Sequence, residues 1–92
     1  MKSYLVVYDI TDDRRRTRLA KLLKDYGSRV QKSVFECRLD SEALDEMKSR
    51  LRARIDWRRD SLLIYPLCRD CWNQRDELGT TTGGWAGDFL VL

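Results

Sequence analysis

Histidine is absent from the 92 residues. Without imidazole there is no Ser/His or Cys/His nucleophile couple, and the commonest metal ligand is missing. The five glycines lie outside any Gly-rich segment that leads into Lys-Ser/Thr, so a phosphate-cradling loop of the nucleotide-binding kind is excluded. Proline occurs once, at Pro66, and neither a low-complexity segment nor an internal repeat divides the chain. No apolar run approaches membrane-spanning length, and no charged start is followed by an apolar signal segment. A cytoplasmic protein with no membrane partner is expected. The three cysteines, Cys37, Cys68 and Cys71, fit a reducing compartment, because an odd number cannot pair fully within one chain.

What is present is a folded, charge-covered composition: 42% hydrophobic and 36% charged residues. Residues 1–92 read as one small domain, of a size that buries little more than about 60% of its unfolded surface and gains from oligomerisation. The net charge is only +3, but 13 of the 18 basic residues are Arg. Guanidinium forks match phosphate geometry, so nucleic acid is a permitted partner without being demanded.

The most strand-like stretch is Tyr4-Leu5-Val6-Val7-Tyr8-Asp9-Ile10. Alternation places Tyr4, Val6, Tyr8 and Ile10 on one face and Leu5, Val7 and Asp9 on the other. Both faces are largely apolar, the pattern of a strand covered on two sides by helices, a second sheet or a partner subunit. An acid at that edge is expected to need a cationic partner if it is buried.

Thr11 is a candidate cap for a first helix of about 14 residues, with Asp12 and Asp13 in its first turn, Leu19, Leu22, Leu23 and Tyr26 on its buried stripe, and Gly27 as its stop. Arg14, Arg18, Lys21 and Asp25 fall on the solvent side. Arg16, one turn before Leu19, Ala20 and Leu23, continues the apolar stripe toward the end of the first strand. Ser28 to Leu39 reads as extended chain whose parity changes at Val34-Phe35, by a bulge or by two short strands with hardly any turn. A second helix follows, capped by Ser41 and buried through Leu44, Met47, Leu51 and Ile55. Its Arg-rich end, through Arg50, Arg52, Arg54, Arg58 and Arg59, is explained by the helix dipole and solvation ahead of a nucleic-acid patch. Ser61 to Leu67 is a further strand. After the Cys68-x-x-Cys71 loop, residues 79–92 form a tail in which a flexible joint, Thr80 to Gly84, leads into Trp85 to Leu92, with the composition of a short terminal strand.

This order predicts an α+β sandwich of the ferredoxin-like βαββαβ kind, with an extra C-terminal strand. The uncovered sheet face predicts a homodimer. Two chemistries remain open. Cys68 and Cys71 are half of a zinc site if Cys37 or a partner's pair completes it, and otherwise free thiols. Asp9 is either a structural acid bonded to the following helix or a ligand for a hard cation such as magnesium, which accepts one or two carboxylates plus substrate phosphate. A two-fold axis nearby would bring two copies of Asp9 to one cation.

Tyr8-Asp9-Ile10-Thr11-Asp12-Asp13-Arg14-Arg15-Arg16-Thr17-Arg18-Leu19 and the later Gly27-Ser28-Arg29-Val30-Gln31-Lys32-Ser33-Val34-Phe35-Glu36 resemble the small CRISPR-associated adaptation proteins, the second of the two near-universal proteins of spacer acquisition. With the run Leu63 to Cys71, the similarity spans residues 3 to 71. The resemblance implies a homodimer with strand-end aspartates facing across the interface and a magnesium- or manganese-dependent endonuclease acting on RNA or duplex DNA. It also implies a scaffold for the larger adaptation integrase. By position it makes Asp9 the catalytic and metal-binding acid, supported by Arg16, Arg18, Arg29, Ser33 and Phe35. It carries a rival too, a non-catalytic adaptor that binds duplex DNA and the integrase. An RNA-binding module of the same fold class is disfavoured, since aromatic-rich binding strands are lacking.

Overall fold

A computed structural model describes residues 1–76 and residue 78. Among these residues, four strands and three helices follow one another as β1 (Lys2–Asp9), α1 (Asp13–Leu23), β2 (Gly27–Gln31), β3 (Val34–Leu39), α2 (Ser41–Arg52), β4 (Ser61–Leu67) and α3 (Arg69–Asn73). The sheet runs β2-β3-β1-β4 with every neighbouring pair antiparallel. The expected βαββαβ order is thus observed. The terminal strand expected at 79–92 lies outside the described residues.

β1 is central because both of its faces are apolar. Val6 pairs with Phe35 on one side and Ile64 on the other. Tyr4, Val6 and Tyr8 join Leu19, Leu22, Leu23, Phe35, Cys37, Met47 and Leu51 in the core between sheet and helices. On the opposite face Leu5 packs with Val30 and Val34, with Val7 and Leu67 against them. Neither α1 nor α2 lies over that face, and among the described residues only the short α3 touches β1 near its start. Leu63 and Tyr65 there remain 53% and 49% exposed.

The parity change at Val34-Phe35 is a hairpin. Lys32 and Ser33 form the turn, and the pairing slips between Arg29 and Gln31, so both readings of that stretch are partly right. Both helix caps lie one residue from where the sequence suggested. Asp12 caps α1 by accepting from the Arg15 N–H at 2.8 Å, and Asp40 caps α2 by accepting from Ala43 N–H at 2.8 Å. A carboxylate outcompetes the neighbouring hydroxyl because it also carries the charge favoured by the helix N-terminus. α1 is accordingly 11 residues long and ends before Lys24. Gly27 does not stop it. Gly27 lies in β2 opposite Cys37, where an added Cβ would stand 2.0 Å from the Glu36 carbonyl oxygen. Its role is the close approach of the two strands.

One long-range tie positions the start of β4. Arg15 donates through Nε and Nη2 to both carboxylate oxygens of Asp60, at 2.9 and 3.0 Å, and the Asp56 N–H adds a third bond at 2.8 Å. The Asp60 side chain is fully shielded, and the Arg15 hydrogen bond holds its carboxyl below the ordinary value, against the opposing effect of burial. The next residue, Ser61, pairs with Asp9.

Phe35 has no exposed surface, so Phe35→Ala should cost about 3–5 kcal/mol, read as a lower urea midpoint. Because the Asp60 pKa is depressed on folding, its contribution is complete above the unfolded value near ~3.9 and is lost as pH falls through the folded value. Asp60→Asn should therefore lower the urea midpoint at neutral pH, and the gap to wild type should narrow below about pH 4.

Candidate active site at the end of the central strand

Asp9 is the last residue of β1 and is exposed. The cation expected for a buried acid is therefore not required. Its strand parity puts it on the open sheet face with Leu5 and Val7. Among the described residues, the nearby acids are already engaged: Asp12 caps α1, Asp13 pairs with Arg16, and Asp60 is held by Arg15. The Asp9 carboxylate makes no such bond among the described residues. Capping by Asp12 removes the structural role otherwise available to Asp9.

The backbone on either side of Asp9 is pinned by two of the other sequence-derived residues. The Tyr8 N–H donates to the Ser33 carbonyl at 3.1 Å. Arg16 Nη1 donates to the Ile10 carbonyl at 3.2 Å, while Nη2 pairs with Asp13. Arg16 is half-buried, as its place on the stripe indicated. Ser33 and Arg16 thus converge on the residues flanking Asp9, the first through the hairpin turn and the second through α1. The Arg16 fork is partly committed to this brace.

The remaining three residues are placed differently. Phe35 lies inside the core, its ring 6.3 Å from that of Tyr8 at 28°, and the Arg29 guanidinium sits over the Phe35 ring, 5.6 Å from its centroid. Arg29 itself is exposed and directly opposite Phe35 in the ladder. The ring therefore packs beside Tyr8 and against Arg29. Arg18 is exposed and lines a groove between α1 and α2 together with Arg15, Lys21, Asp25, Arg50 and Arg54.

That groove was not read from the sequence as a unit. Its signal was present as Arg15, Arg18 and Leu22 on one side and Arg50 and Arg54 on the other, spaced by helical turns. Arg50 is more than a dipole-complementing cation. It donates to Asp25 at 3.2 Å and to the Tyr26 hydroxyl at 3.0 Å, tying α2 to the turn that follows α1.

A hard cation fits the donor chemistry of Asp9, but one chain supplies only that carboxylate, and no group of three or more His, Cys, Asp or Glu ligands occurs among the described residues. Cys37 cannot complete a zinc site with Cys68 and Cys71. It is enclosed in the helix-covered core, where burial pushes its thiol up to about 11, whereas the other two are exposed. Among the described residues, no helix is long and apolar enough to cross a membrane.

A family model described as CRISPR associated protein Cas2 matches residues 1–75. The chain is 55% identical over 64 residues to a CRISPR-associated endonuclease Cas2 of Thermus thermophilus, covering 70% of this chain and 71% of the relative. It is 42% identical over 93 residues, spanning all of both chains, to a CRISPR-associated endoribonuclease Cas2 of Synechocystis. The crystal structure of Streptococcus pyogenes Cas2 superposes with a TM-score of 0.76 at 36% identity, covering 84% of this chain and 99% of that one. A chain of a partial Cas6-RT-Cas1–Cas2 complex does so with a TM-score of 0.63 at 28% identity, covering 83% and 89%. With the two N-terminal motifs, the ferredoxin-like sheet order and these likenesses in agreement, the chain belongs to the CRISPR associated protein Cas2 family.

Proposed function

We propose that this protein is a divalent-cation-dependent endonuclease of the CRISPR adaptation module, active as a homodimer closed over the open sheet face. The observation that carries the reading is Asp9: an exposed, unengaged carboxylate at the end of the central strand, beside acids that have structural partners. Leu63 and Tyr65, half exposed beside Leu5 and Val7, give that face an apolar surface which a second copy would remove from water. Asp9 shares the face, so closure about a two-fold axis near the end of β1 would bring two carboxylates together.

Asp9 from each copy would hold the cation, magnesium or manganese by the all-oxygen chemistry, and the bound cation would supply phosphate polarisation and an acidified water. The chain's own residues fix the geometry. Arg16 and Ser33 pin the backbone on both sides of Asp9. Arg29, exposed beside Phe35 on the helix-covered side of the hairpin, is available to the nucleic-acid backbone next to the site rather than to the phosphate at Asp9 itself. The names of the relatives, endonuclease and endoribonuclease, support phosphodiester hydrolysis and leave RNA and duplex DNA as the substrates to compare.

A second reading rests on the groove between the helices. Arg18, Lys21 and Arg54 line it beside Arg15 and Arg50, which Asp60 and Asp25 already pair. A duplex DNA backbone suits that charge, and the fold's likeness to a chain from a complex containing Cas1 supports an adaptor that carries DNA to the larger integrase.

The deciding comparison is cleavage of single-stranded RNA and duplex DNA in magnesium and in chelator, by wild type and by an identically prepared Asp9→Asn variant. Cleavage that needs magnesium and falls by about 100-fold or more in the variant, with the dimer intact by light scattering, is the expected result. If neither protein cuts while both bind duplex DNA, the adaptor reading stands alone. In that binding assay, Arg18→Glu should weaken duplex affinity and flatten its salt dependence, by roughly one unit of slope for each phosphate no longer neutralised.

A further inference from the structure

The nuclease and adaptor readings leave one pair of reactive side chains unused. Cys68 follows β4 and Cys71 lies in α3, both exposed. The Cys71 N–H donates to Cys68 Sγ at 3.1 Å. Cys68 stands in the same relation to its helix as Asp12 and Asp40 do to theirs, accepting from the N–H three residues on. At the other two positions the acceptor is an anion. The Cys71 thiol hydrogen bond, then its N–H, holds Cys68 below the ordinary thiol value, and the same contact raises Cys71. The contact between the two sulfurs and the N–H bond to Cys68 favour Cys68 over Cys71 as the attacking thiol.

The spacing permits a bond between them. Residues three apart on a helical turn have Cα atoms about 5 Å apart, inside the roughly 4.4–6.8 Å that a disulfide spans. Cys37, the third thiol, is buried and held at about 11, so it takes no part. A metal reading carries less far, because no third ligand joins the pair among the described residues. Beside Cys68 lies an open hollow of about 1110 Å³ lined by Lys2, Glu36, Arg38, Pro66 and Arg69. Its three cations suit a small carboxylate-bearing molecule.

We propose that Cys68 and Cys71 form a reversible redox dithiol that reacts with small anionic disulfides of the glutathione type. Cys68 thiolate attacks one sulfur of the small disulfide, forming a mixed disulfide and expelling one thiolate. Cys71 then loses its proton and attacks Cys68 Sγ, closing the protein disulfide and expelling the second thiolate. The protein dithiol is oxidised by two electrons, one small disulfide is reduced, and two small thiols leave, one of them with each protein proton. In a reducing compartment such a bond is transient and reports the local redox state. Closing it staples the turn that leads out of β4, the strand paired with β1 along its length.

The test uses the full chain and its Cys68→Ser and Cys71→Ser variants, with circular dichroism checking the fold of each. Each is incubated with mixtures of reduced and oxidised glutathione and quenched by alkylation in denaturant, then weighed by mass spectrometry. Wild type should lose two alkylatable thiols together and keep one. Cys71→Ser should stop at a stable glutathione adduct, and Cys68→Ser should react about tenfold or more slowly. The proposal is overturned if wild type keeps all three thiols in excess oxidised glutathione. It is equally overturned if Cys68→Ser reacts as fast as wild type, or if the isolated protein carries zinc that protects both thiols.

Discussion

Val6 has no exposed surface and packs between Phe35 and Ile64 on the strands either side of it. Its neighbours Leu5 and Val7 point the opposite way, into a second and smaller apolar cluster. A strand apolar on both faces is best placed at the centre of a sheet and must be covered twice. Two helices cover one face, and they bring the Arg-bearing surfaces of α1 and α2 with them. The other face keeps Leu63 and Tyr65 half exposed, and the end of β1 on that same side carries Asp9. The requirement that buries the strand therefore also fixes where its terminal acid emerges.

The acids of this chain divide by what the fold needs of them. Asp12 and Asp40 satisfy helix N–H groups, and Asp60 joins α1 to the start of β4 through Arg15. Each of these carboxylates is committed to geometry. Asp9, at the end of the strand before α1, is displaced from the capping role by Asp12 and left exposed. The arginines divide similarly. Arg15, Arg16 and Arg50 hold elements together, whereas Arg18 and Arg54 line the groove, and Arg29 rests over the core ring of Phe35. The charges that stability does not consume are those left available for chemistry.

The two thiols at the end of β4 follow the same logic at smaller scale. Cys68 fills a capping position with a group that can change charge and form a covalent bond. An aspartate there would give a fixed turn, and a thiol gives one that responds to its surroundings.

The sequence by itself determined the order of the four strands and two longer helices, the two-faced first strand, the apolar stripes of those helices and the prominence of Asp9, because period and side-chain chemistry are local properties, whereas the short α3 fell in what read as a loop. Arg16 was legible for the same reason: its place on a buried stripe required a specific partner. The tertiary structure alone decided the rest. Asp12 rather than Thr11 caps the first helix, and Gly27 proved to be needed by Glu36 across the hairpin rather than by the helix before it. Phe35, two residues from Ser33 in the same motif, went into the core while Ser33 turned back to hold Tyr8. Asp60 found Arg15 across 45 residues, a pairing no periodicity encodes. Contacts between distant segments exist only after the chain has met the entropy cost of bringing them together, so no window of sequence, however clearly patterned, contains them.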